Sequence, residues 1–192
     1  LLIDYVDIGK LVMWFARKRD SQRQKVYDSE VIFNTKTKEN FLEIYEKAIK
    51  KMTLDEIEEY CLKLIDLKWF QKRWPQVKGV NLGDGRSRRS ACAVLNGKEA
   101  KMTFPVYTRY KIMVLHELSH ACDMSNAGWH GRPFCRIYLE LIRHELGDAA
   151  WRVMKECFKQ KKVKVRVETL RPDLKGKTPL GFDKMMEAKS KK

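Results

Sequence analysis

The five residues His116-Glu117-Leu118-Ser119-His120 constrain this chain more than any other stretch. Two histidines four apart meet only if the segment is an α-helix, where residues i and i+4 lie one above the other on a single face. The four residues before them, Ile112, Met113, Val114 and Leu115, are all apolar. The helix is therefore expected to be buried, and the rest of the chain has to build a core around it. The 192 residues suit one domain. With 44% hydrophobic and 34% charged residues the chain reads as globular. A domain of this length can bury a core without disulfide staples.

Two imidazoles on one helix face can bind one metal ion. The intervening Glu117 stands beside the open coordination position, where it can take a proton from water and pass it to a leaving group. Zinc, one ion per chain, is the default for such ligands, and it lowers the pKa of its water to about 7. A catalytic zinc takes three protein ligands, so a third must come from elsewhere. The chain has only four histidines. His130, in Trp129-His130-Gly131-Arg132-Pro133-Phe134, sits on a turn that can fold back over the helix. His144 falls near a helix end, where carbonyls or solvent are its natural partners. Glu140 and Asp123 are candidates if His130 points away. The metzincin spacing is not met, because its third His and its Gly would fall on Asn126 and Asp123. Cys122 and Cys135 flank the site, but three histidines suffice without them. For a developing oxyanion, Tyr110, Arg109 and Tyr138 are candidate donors. Ala100 to Pro105 is the candidate strand for pairing with an extended peptide.

HExxH followed by nine residues and then HG-x-x-F resembles the SprT-like and related minimal zinc metallopeptidases. In those, the His of the HG pair completes the metal site. The stretch Arg19-Asp20-Ser21-Gln22-Arg23-Gln24-Lys25-Val26-Tyr27-Asp28-Ser29-Glu30, with Leu115-His116-Glu117 and His130-Gly131-Arg132-Pro133-Phe134, is similar to a family of metallohydrolases found in actinobacteria and their phages. The likeness runs from about Arg19 to Val167. It implies a zincin-like fold with His116, His120 and His130 as ligands and Glu117 as general base. It implies no substrate. Members commonly read HGPxF, whereas here Arg132 precedes Pro133.

The net charge of +15 favours acidic partners, such as nucleic acid or a virion assembly. The segment Lys161 to Lys192 holds eleven Lys/Arg against four Asp/Glu. Arg86, Arg88 and Arg89 form a second basic run and are candidate nucleic-acid contacts. Trp69, Phe70 and Trp74, interleaved with Lys68, Lys72 and Arg73, read either as packing or as a base-stacking platform. No uncharged apolar run is long enough for a membrane span, and the first residues lack the layout of a secretory signal. Five cysteines, an odd count with no CxxC pair, argue against a disulfide framework and for a cytoplasmic protein, or a virion-associated one if phage-encoded.

Residues 1–18 read as an amphipathic arm, 19–168 as the domain and 169–192 as a basic tail. Gln24 to Asn34 has strand composition. Lys38 to Met52 has helical spacing. Thr53-Leu54-Asp55-Glu56 is a capping box that opens a helix closed by Trp69, Phe70 and Trp74. Gly79 to Gly85 reads as a turn region. Asn96-Gly97 joins two short apolar segments into a β-hairpin. Thr108 caps the HExxH helix, which runs to about Met124. Pro133 opens a helix that Gly147 stops, and Asp148 caps a last one to about Gln160. Val163 to Val167 alternates like a strand. The expected fold is α+β, with a sheet of four or five strands packed on helices. The expected function is zinc-dependent hydrolysis, of a peptide bond in a protein or peptide. The alternative is a zinc-containing basic protein, not an enzyme, that binds nucleic acid or a virion assembly.

Overall fold

The computed structural model describes residues 20–165 apart from Ser87, Arg89 and Asn126. The arm over 1–18 and the tail over 169–192 lie outside the described residues. The domain is α+β. In chain order it comprises α1 (Arg23–Asn40), α2 (Leu42–Ala48), α3 (Leu54–Asp66), α4 (Lys68–Arg73), β1 (Gly79–Gly83), β2 (Cys92–Asn96), β3 (Glu99–Thr103), α5 (Lys111–Cys122) and α6 (Arg132–Gln160).

The sheet is smaller than the expected four or five strands. It has three, in the order β1-β3-β2. β2 and β3 form the antiparallel hairpin across Asn96-Gly97, with Ala93 opposite Met102 and Leu95 opposite Ala100. Gly97 takes φ +61, as the tight turn demands. β1 runs parallel to β3, so Gly79–Gly83 is a strand and not a turn region. Its two glycines hid it; Val80 and Leu82 pack against the core. In β3, Ala100 and Met102 point inward and Glu99 and Lys101 outward. β2 and β3 rest on α5, and β1 rests on α3. α6 and α1 close the other side of α5.

Gln24 to Asn34 is helical, contrary to its strand-like composition. Val26, Ser29, Phe33 and Thr37 are the buried positions, spaced three, four and four apart. Two of them are polar and escape a hydrophobic count. Each hydroxyl bonds back to the carbonyl four residues earlier, Ser29 to Lys25 and Thr37 to Phe33, and so can face the core. Val31, which looked like a core residue, is 66% exposed. The expected helix over Lys38 to Met52 is split at Phe41, between the end of α1 and the short α2.

The Thr53 capping box is present, with Thr53 and Glu56 bonded in both directions. Its helix ends at Asp66, and Trp69 and Phe70 belong to the separate α4. Thr108 does not cap the HExxH helix. Its hydroxyl bonds to the Pro105 carbonyl within a 3-10 turn, and Tyr110 is the N-cap residue. Pro133 lies in the first turn of α6. At Gly147, with φ 91 and ψ 172, the backbone leaves the helical region, so the expected glycine stop is present and α6 is two helical segments that meet there at a kink. Asp148 accepts a hydrogen bond from Arg143 across that kink. Val163 to Val165 form no strand, and the rest of that expected strand lies outside the described residues.

Candidate metal centre

α5 places His116 and His120 one turn apart, and His130 comes from the loop before α6. One ring nitrogen from each can be chosen so that all three lie within 4.8 Å of one another. His116 and His130 are buried and His120 is half-buried. Among the described residues these three form a group that could hold a metal ion.

Local packing fixes the third histidine. Gly131 is the N-cap residue of α6, and a Cβ there would fall 2.6 Å from the Ala127 carbonyl oxygen. The glycine after His130 therefore lets the loop turn tightly against itself. The Cys135 amide then donates to the Gly131 carbonyl and starts α6. Phe134 packs against all three imidazoles, with centroid distances of 4.3 to 5.0 Å.

Two carboxylates from the other side of the domain orient the rings. His116 Nδ1 lies 2.7 Å from Glu30 Oε1, and His130 Nδ1 lies 2.6 Å from Asp20 Oδ2. A carboxylate accepts only, so each Nδ1 carries the proton and each Nε2 presents a bare lone pair. These two Nε2 atoms are 3.2 Å apart. Two lone pairs that close repel unless a cation lies between them. Imidazoles bound to one tetrahedral zinc at about 2.0–2.1 Å would set their nitrogens about 3.3 Å apart. The donor set therefore fits such an ion. Burial lowers the pKa of His116, but Glu30, through charge and hydrogen bond, outweighs it and the net shift is upward. His130 moves down, through burial and the charge of His116.

Glu117 is buried, and its Oε2 has no hydrogen-bond partner. Burial pushes its carboxyl up to about 7, with His116 opposing and Glu30 adding to the rise. An orphaned carboxylate oxygen costs free energy in a folded core.

The other candidates are placed elsewhere. Arg109 donates to the Phe104 and Asp84 carbonyls and ties two loops together. The Tyr110 ring sits under Lys51 Nζ. Tyr138 packs beneath His116 with no exposed surface, so it cannot reach a substrate. His144 stacks on Trp69 at 4.3 Å and bonds to Glu145, away from the cluster. Glu140 pairs with Arg73 and Arg136. Asp123 accepts from the Ser125 amide. Cys122 and Cys135 are buried free thiols outside the three-histidine group. Phe70 and Trp74 are core residues and Trp69 packs on them, so this cluster is packing and not a stacking platform. Arg86 pairs with Asp84, and Arg88 reaches the Cys92 sulfur. Arg89 lies outside the described residues. The strand over Ala100 to Pro105 cannot add a peptide, because β3 is paired on both sides; β1 and β2 are the free edges.

Sequence reasoning assigned no role to Asp20, Gln22, Tyr27 or Glu30, all within the quoted Arg19 to Glu30 stretch. Gln22 is buried and donates to the carbonyls of His130 (3.0 Å) and Lys164 (3.1 Å), and its own oxygen accepts from the Lys164 amide. The available signal was the spacing of Asp20, Arg23, Tyr27 and Glu30, three, four and three apart, which is one stripe of a helix. No family model, curated protein or solved structure matches the chain.

Proposed function

We propose that the chain is a zinc-dependent hydrolase that cleaves peptide bonds in a protein or peptide. The observation that carries this reading is the pair of Nε2 atoms at 3.2 Å, each backed by a carboxylate on Nδ1. His116, His120 and His130 would hold the ion. Zinc, when bound, supplies a Lewis acid for the scissile carbonyl and brings water near neutrality in pKa. Glu117 takes the proton of the attacking water and returns it to the leaving nitrogen. A carboxylate can make both transfers. His120 is the half-exposed ligand, with Trp129 5.8 Å away, and marks the side open to substrate. A structural zinc would be closed by a fourth protein ligand, and among the described residues the group holds three. That favours catalysis over the binding-protein reading.

The test pairs elemental analysis with hydrolysis of fluorescent unfolded casein. About one zinc per chain is expected, lost in His116→Ala and His130→Ala. Glu117→Gln should keep the zinc and lose activity by about 10²–10⁴-fold. Full zinc in His130→Ala, or wild-type activity in Glu117→Gln, would overturn the reading.

A further inference from the structure

Arg23, Tyr27 and Glu30 lie on one stripe of α1, Asp20 sits just before its N-cap Gln22, and the two carboxylates fix this run to the metal centre at both ends. Asp20 holds His130 and Glu30 holds His116. Tyr27 lies between them. Its ring centroid is 5.2 Å from that of His130, edge-on at 75°, and 5.8 Å from that of His116. Tyr138 also contacts His116, at 5.4 Å, but is wholly buried. Tyr27 is half-buried, so of the two tyrosines that contact these histidines it is the one with surface left open.

Arg23, one turn earlier and exposed, places its guanidinium 5.6 Å from the Tyr27 ring centroid, near enough for the phenol oxygen to take one of its N–H groups. A guanidinium only donates, so the Tyr27 oxygen is the acceptor. A phenol has one O–H to give. With Arg23 on its oxygen, that O–H is left for a further group, and the adjacent positive charge makes it a stronger donor. A purely apolar role would need the ring alone.

We infer that the Tyr27 hydroxyl, capped by Arg23, is the donor for the substrate carbonyl oxygen as it becomes anionic. This rests on the hydrolase reading above, and it assigns to α1 the part that Tyr110, Arg109 and Tyr138 do not play. The donor acts by hydrogen bonding alone and transfers no proton.

The test reads binding rather than turnover. The full chain is loaded with Co²⁺, metal content is measured, and acetohydroxamate is titrated against the visible cobalt bands. The carbonyl oxygen of that probe stands in for the oxyanion. Tyr27→Phe should take up cobalt as the wild type does and bind the probe about 10- to 100-fold more weakly. Arg23→Gln should weaken it less, and its effect should vanish in the Tyr27→Phe background. Unchanged probe affinity in Tyr27→Phe would overturn the proposal while leaving the three-histidine site intact. Loss of cobalt in Tyr27→Phe would also overturn it, by making the residue a packing element. A wild type that takes up no cobalt would instead bring down the metal-centre reading, and this inference with it.

Discussion

The two sides of α5 are built on opposite principles. Toward the sheet, α5 meets Ala93, Ala100 and Met102, and the contact is apolar. Toward α1 and α6, it meets polar groups kept out of water. The nine buried polar or charged side chains among the described residues all lie in α1, α5 or the loops that flank them. A sheet face can be covered by any residues of suitable volume. A buried polar cluster needs each partner supplied at a set distance. Specific chemistry is therefore concentrated on the helical side, and the sheet side supports it.

The sharpest break in that comparison concerns Glu117 in the metal-free protein. Its carboxyl is raised from 4.5 to about 7 by burial. The folded state thus holds a proton that the unfolded chain has already released. Stability from this group is complete below about pH 4.5, falls as pH rises toward 7, and stays low above it. Glu117→Gln should stabilise the metal-free protein at pH 8 by up to about 3 kcal/mol and change little at pH 4. Urea unfolding at the two pH values in the presence of a chelator would read this. Equal destabilisation at both would show that the carboxyl is not desolvated.

The carboxylates behind the ligands come next. Asp20→Asn and Glu30→Gln should each weaken zinc affinity by about 10- to 100-fold, measured by chelator competition. Affinity unchanged in both would mean that the histidines orient themselves. The smallest effect belongs to the sheet side of the molecule. Thr53→Ala removes the capping box of α3 and should cost about 1 kcal/mol, with zinc affinity untouched. A fall in zinc affinity there would break the division between the two sides.

The pairing of His116 with His120 was legible because i, i+4 spacing on a helix has a fixed geometric meaning. The hairpin at Asn96-Gly97, the Thr53 cap and the Pro133 helix start were legible because each depends on one local backbone preference. α1 was misread because Ser29 and Thr37 occupy core positions as polar residues satisfied by their own helix, while Val31 faces water. β1 was missed because two glycines in five residues read as a turn, and its pairing partner β3 is distant in sequence. Asp20 and Glu30 could not be assigned for a similar reason. Their histidines lie 110 and 86 residues away, and only the folded packing of α1 against α6 brings them together.

Gln22 grips Lys164 and the His130 loop at once, so the first and last stretches of the described domain are joined at one point. In mechanical terms this is a clasp. A pull applied between residues 20 and 165 would load the Gln22 bonds first, and Asp20, two residues away, would be drawn off His130 next. Tension on the chain would thus open the metal centre before it separated α1 from α6, and grip on the ion would fail ahead of the fold.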